Sequence, residues 1–149
     1  MKILEVAGYN KPKAGIIPYY FDQQGNLYMK FMVPSNSAYG GTAFQISKGR
    51  VDPGEDARTA AVREGKEESG LKSTNIKTVQ KLTTLTVTGL DATYELSIYV
   101  AEVKNPNDFA QPHYETGKTE WLTLQDFEIK GRKSQLAIIQ LAHKQLSRK

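Results

Sequence analysis

The sequence predicts a mixed α/β domain, a sheet covered on its faces by helices. The chief observation is the order of elements. Runs rich in β-branched and aromatic residues alternate with two helical stretches, reading strand, strand, helix, strand, strand, strand, helix. The length agrees: 149 residues is near the size of one domain, enough to bury roughly two thirds of the unfolded surface around a single core. Residues 1–149 are therefore read as one domain. Composition agrees too, with 39% hydrophobic and 24% charged residues, eight Tyr, five Phe and one Trp, the make-up of a soluble globular chain.

Several classes are excluded before any motif is considered. There is no cysteine, which removes disulfides, thiolate metal sites and a cysteine nucleophile. The N-terminal MKILEVAGYNKPK has too short an apolar run for a signal peptide, and no window reaches the apolar length of a membrane span, so a cytoplasmic location is expected. The net charge of +4 suits phosphate-rich ligands. Much of the excess comes from Lys130, Arg132, Lys133, Lys144, Arg148 and Lys149. No RNP-type or helix-turn-helix signature accompanies it, so nothing supports a dedicated nucleic-acid fold.

Along the chain, Ala14 to Tyr20 and Leu27 to Val33 read as two strands joined by a turn at Asp22 to Asn26, where Gly25 and Asn26 supply the turn chemistry. Pro34 to Gly41 is a polar, glycine-containing loop and Phe44 to Ile46 a brief extended piece. A helix is expected to begin near Glu55 or Asp56, with acids in its first turn, and to stop at Gly70. Ile76 to Thr88 and Tyr94 to Val103 should pair as antiparallel strands about a turn at Gly89-Leu90-Asp91. Lys104 to Lys118 is a long polar loop, and Thr119 to Leu122 a short strand with the only Trp. Lys133 to Leu146 carries its aliphatic residues at helical spacing.

The stretch from Gly49 to Leu71, GRVDPGEDARTAAVREGKEESGL, holds the chemistry. Glu64, Glu67 and Glu68 stand at i, i+3 and i+4, so their carboxylates project from adjacent turns. Each such like-charge pair costs roughly 0.2–0.5 kcal/mol on an exposed helix. A hard divalent cation removes that cost; Mg²⁺ takes a few carboxylate oxygens and keeps places for water and phosphate oxygens. A solvated charged face is the competing explanation. A helical wheel argues against it, because Glu64 and Glu68 fall among Ala57, Ala60 and Ala61 while Arg58, Thr59 and Lys66 point away. Carboxylates directed toward a core edge need a partner or a metal.

This segment resembles the Nudix box: Gly, five residues, Glu, seven residues, Arg-Glu, an aliphatic, any residue, Glu-Glu, any residue, Gly, an aliphatic. The matching residues are Gly49, Glu55, Arg63, Glu64, Glu67, Glu68 and Gly70, closed by Leu71. Gly65 departs from the usual aliphatic, at about 1 kcal/mol of helix propensity relative to Ala. It extends a small-residue row, Ala57, Ala61 and Gly65, and is read as a packing variant. The resemblance implies the Nudix α/β/α sandwich with a mixed sheet. It also implies Glu64, Glu67 and Glu68 as metal ligands, with the Gly49 carbonyl as a further one, and an ion pair of Glu55 with Arg63. Glu115, ahead of Glu120-Trp121, resembles the acid that many members use outside the box, with His113 close by as another candidate.

The implied reaction is hydrolysis of a nucleoside diphosphate linked to another group, assisted by Mg²⁺ or Mn²⁺, with Glu67, Glu68 or Glu115 taking a proton. Lys48 and Arg50 are the expected phosphate contacts, and Lys13 a weaker one. Tyr39 and Phe44 are candidates for the base, as are Tyr19 and Tyr94, although aromatic residues more often pack. The run Ser47-Lys48-Gly49-Arg50-Val51-Asp52-Pro53-Gly54-Glu55 is similar to that of diadenosine-polyphosphate hydrolases. The proline typical of ADP-ribose-cleaving members is missing at Thr86 to Thr88, and Tyr94 lies late for the tyrosine of the dinucleoside-polyphosphate members. The expectation is an adenine-containing diphosphate, ADP-ribose or a diadenosine polyphosphate. An RNA 5′-end pyrophosphohydrolase and a non-catalytic nucleotide sensor are the alternatives, and a homodimer is a common arrangement in the family.

Overall fold

The computed structural model describes residues 12–88 and 93–147. The expected turn at Gly89-Leu90-Asp91, most of the N-terminal segment, and Arg148 and Lys149 lie outside them. A six-stranded mixed sheet runs in the order β4-β5-β1-β2-β6, with β3 beside β1. Its strands are β1 (Lys13–Phe21), β2 (Leu27–Pro34), β3 (Ser47–Arg50), β4 (Ile76–Thr88), β5 (Thr93–Val103) and β6 (Thr116–Leu122). The helices are α1 (Ala57–Ser69), α2 (Leu124–Lys130) and α3 (Leu136–Leu146). This is the expected α/β/α arrangement. Among the described residues no helix is long and apolar enough to cross a membrane.

The central strand explains the near-continuous apolar run of its sequence. β1 is parallel to β5 along one edge and covered on both faces, a setting in which alternation with polar residues disappears. One core cluster gathers Ile17, Met29, Phe31, Leu122, Phe127 and Ile139 with α2 and α3. The other gathers Ala14, Ile16, Ala60, Ala61, Leu71 and Val103 with α1. The second edge of β1 is shared. β3 pairs with it from Lys13 to Ile16 and β2 from Tyr19 to Phe21. Pro18, which has no N–H to donate, falls in the gap between them. β3 is thus a wedge beside β1, and the residues just before it reach the far half of β2 through the Met32–Gln45 bridge.

Several expectations need correction. Asp56 is the N-cap of α1, its carboxylate accepting the Thr59 N–H at 2.7 Å, and the first turn contains no acid. Glu55 lies before the helix because its carboxylate is turned back to the Asp52 N–H and Arg63. β3 and α2 were not anticipated. For α2 the signal was present: Thr123 and Asp126 form a reciprocal capping box. β6 begins at Thr116, three residues before Thr119, and the C-terminal helix is a 3₁₀ turn (Lys133–Gln135) followed by α3. The polar loop after β2 contains a single 3₁₀ turn, Ser37–Tyr39.

Two glycines close α1 onto its surroundings. Gly70 has φ of 78°, the left-handed conformation that ends a helix, and a Cβ there would overlap the Ala110 carbonyl. A Cβ on Gly65 would stand 2.7 Å from Ile16 Cγ2 and 3.1 Å from Leu71 Cδ2, which is why the helix can lie so close to β1.

Candidate active site

α1 packs across β3 and presents two of its acids there. Glu64 is 8% exposed, and its carboxyl lies so close to Gly49 that a Cβ on Gly49 would overlap it. One turn on, Glu68 is half-buried and accepts the Lys48 backbone N–H at 3.1 Å. Burial, aggravated by the adjacent Glu64 charge, pushes Glu68 up to about 8. Glu64 is raised for the same reasons, burial first and then Glu67. The Lys48 ammonium is driven down to about 8 by burial and by the positive charges of Lys13 and Arg132, against the pull of Glu68 and Glu64.

Arg63 braces this pair from the side. Its Nε and Nη2 each lie 2.9 Å from the Glu55 carboxylate, Nη2 also donates to the Arg50 carbonyl at 2.9 Å, and Nη1 donates to Glu64 at 2.9 Å. Glu55 is held down to about 2 by the guanidinium and the Asp52 N–H. The expected Glu55–Arg63 pair is therefore present, and it extends to Glu64. Asp52 at 3.5 Å and Glu67 at 3.8 Å complete an acidic ring around one guanidinium.

The three box acids do not converge. Glu64 and Glu68 face β3, while Glu67 is exposed and, like Glu64, lies beside Arg63 Nη1, at 3.8 Å against 2.9 Å. Among the described residues no group of three acidic or imidazole side chains stands ready-made around one point. A cavity of about 550 Å³ opens beside Glu68, between the end of β2 and β3. Lys48 and Glu68 line its inner wall, Met32 and Ile46 its apolar part, and Tyr39, Tyr114 and Glu115 its outer part. Tyr39 and Tyr114 are 81% and 80% exposed. Glu115 shares this cavity with Glu68, and His113 Nδ1 stands 3.7 Å from its carboxylate.

The remaining expected contacts divide. Arg50 is exposed and uses its carbonyl to hold Arg63. Phe44 is corrected: it is a buried member of the core, with the Lys118 ammonium 5.3 Å from its ring, and does not line the cavity. Tyr19 is likewise in the core, and Lys13 lies over the Tyr94 ring at 4.4 Å. Tyr114 and Gln45 line the cavity and were not anticipated. Adjacency to Glu115 was the available signal for Tyr114. For Gln45, whose amide nitrogen Nε2 donates to the Gly40 and Ala43 carbonyls, there was none.

The donor chemistry fits a hard divalent cation. Glu64 and Glu68 offer only oxygen, and both hold protons more tightly than an ordinary carboxylate because burial and the neighbouring acids outweigh the positive charges beside them, Arg63 at Glu64 and Lys48 at Glu68. A cation would take the place of that proton.

A family model described as "NUDIX domain" matches residues 11–142. Among solved structures, a C. elegans Ap4A hydrolase binary complex superposes with a TM-score of 0.75 at 23% identity, covering 93% of this chain and 98% of that one. The NUDIX domain of Shewanella oneidensis NrtR, complexed with ADP ribose, gives 0.71 at 15% identity over 98% and 99%. An ADP compounds hydrolase gives 0.69 at 19% identity over 93% and 74%. Among proteins of curated function none matches by sequence.

Proposed function

The chain belongs to the Nudix hydrolase family, and from that premise we propose that it is a divalent-metal-dependent pyrophosphohydrolase acting on nucleoside diphosphate derivatives, with adenine-containing compounds such as ADP-ribose or diadenosine polyphosphates as substrates. One observation carries the reading: the Glu64 and Glu68 carboxyls are buried together against Gly49 and the Lys48 N–H, beside a cavity that also holds Lys48 and Glu115. Glu64 and Glu68, with Glu67 and the Gly49 carbonyl, would hold Mg²⁺ or Mn²⁺. When bound, the cation supplies charge neutralisation at the phosphoryl oxygens and makes water more acidic.

The other roles belong to the chain. Lys48, held on the inner wall, binds a phosphate oxygen, and Arg50 adds positive charge from outside. Glu115, on the outer part of the cavity, accepts the proton of the attacking water. Tyr39 and Tyr114 offer exposed ring faces to a nucleobase. Support for an adenine nucleotide comes from the likeness to the Ap4A hydrolase and to an ADP-ribose-bound NUDIX domain.

The test is release of phosphate or nucleotide from ADP-ribose, diadenosine polyphosphates, dinucleotide coenzymes, nucleoside triphosphates and triphosphorylated RNA. Each is assayed with Mg²⁺ or Mn²⁺ and with Glu68→Gln alongside. Cleavage of an adenine compound that the variant abolishes supports the proposal. Cleavage of RNA alone moves the substrate to the RNA 5′ end. Tight nucleotide binding with no turnover replaces catalysis by sensing.

A further inference from the structure

The segment from Lys104 to Glu115, between β5 and β6, contains no helix or strand, yet buried groups grip it. Asn75, 1% exposed, donates from Nδ2 to the carbonyls of Asn105 and Asp108 and accepts the Asn105 N–H, all at 2.9 Å. Farther along, the Phe109 ring meets Trp121 edge-on with centroids 5.6 Å apart. The Lys30 ammonium lies 4.2 Å from the Phe109 centroid and 4.8 Å from that of Trp121. Lys30 is 8% exposed, and no acid pairs with it among the described residues. A buried ammonium is costly unless its charge is met, and here two π faces meet it. The ion holds the rings together as much as the rings hold the ion.

Beyond Phe109 the chain crosses the C-terminal end of α1. The Ala110 N–H donates to the Gly70 carbonyl at 2.8 Å, the His113 N–H to that of Glu67 at 2.7 Å, and the Thr116 hydroxyl to that of Glu68 at 2.9 Å. A helix end leaves its last carbonyls without partners of its own. The segment that displays Glu115 therefore also ties down the turn that carries Glu67 and Glu68.

We propose that Lys30, Asn75 and Phe109 are positioning residues that lock the segment onto the end of α1 and so fix Glu115 relative to Glu68. The catalytic half of this inference rests on the hydrolase reading above; the locking does not. Two measurements separate them. Amide exchange at Ala110 and His113 is compared in wild type, Phe109→Leu and Phe109→Tyr, with α3 amides as the internal control. Exchange should rise at least about tenfold in the leucine variant alone, because the tyrosine keeps the ring. Turnover is then measured for Phe109→Leu with and without Glu115→Gln.

A displaced Glu115 should lower kcat on the order of ten- to a hundredfold in Phe109→Leu, with KM little changed. With Glu115 already replaced, the same change should move kcat by less than about twofold, the non-additivity of residues acting through one another. Equal losses in both backgrounds, or unchanged exchange at Ala110 and His113, would overturn the proposal. If wild type hydrolyses nothing, or Glu115→Gln turns over like wild type, the hydrolase roles fail and exchange alone decides the locking.

Discussion

At position 49 a hydrogen atom stands where any other residue carries carbon, and the carboxyl of Glu64 occupies the space thereby left. Gly49→Ala should displace Glu64 from β3 and weaken Mg²⁺ binding at least about tenfold by titration calorimetry, as expected when a ligand is moved off its geometry. Unchanged affinity would remove Glu64 from the metal site. At this scale the sequence was informative about placement. The spacing put Glu64 and Glu68 on the side of the helix that meets the sheet, whereas the Glu55–Arg63 pair came from the likeness to the Nudix box and Lys48 from its position next to it. Phe44 was not legible, because whether an aromatic ring faces a cavity or the core depends on neighbours distant in sequence. The i+3 spacing does bring Glu67 beside Glu64, with Arg63 Nη1 3.8 Å from one and 2.9 Å from the other; what spacing alone does not show is that Glu67 stays exposed while Glu64 is buried.

Helix α1 illustrates the contest between propensity and packing. Replacing Gly65 by Ala should gain about 1 kcal/mol of helix propensity, yet the added methyl would meet Ile16 Cγ2 at 2.7 Å inside a filled core. Overpacking of that kind costs typically 1–3 kcal/mol. Gly65→Ala should therefore be neutral to destabilising by up to about 2 kcal/mol in urea unfolding, and a clear gain in stability would refute the close approach. Elements with strong local signals, such as β1, β2 and α1, were read to within a residue or two. β3 was not, since four residues, Ser47–Arg50, hold no pattern; the wedge exists only because β1 leaves part of its edge open.

Across the whole molecule the buried acids make stability depend on pH. In the metal-free protein Glu68 keeps its proton up to about 8, whereas the unfolded chain releases it near the ordinary 4.5. The folded state binds the extra proton between those values, so its stabilisation is complete below 4.5 and is lost as pH rises through 8. Glu64 acts in the same direction. Lys48, lowered from 10.5 to about 8, is charged in both states over most of that window and opposes the slope only as pH approaches 8. The melting temperature of chelator-treated protein should fall from pH 5 to pH 8, the slope should flatten in Glu68→Gln, and Mg²⁺ should stabilise more at pH 8 than at pH 5. A flat profile in wild type would show that Glu68 is not a buried acid.

The wedge of β3 into the sheet changes what Glu68 is. The Lys48 N–H is spent on a side chain of α1, so the carboxylate serves as one rung of a ladder, standing in for a strand that is not there. An amide at position 68 can still accept that hydrogen bond, whereas a methyl group cannot. Glu68→Gln thus alters charge while sparing the architecture, and Glu68→Ala would unpair the sheet edge at the same stroke. A loss of function in the alanine variant would therefore carry two causes, and only the glutamine variant can separate chemistry from scaffolding.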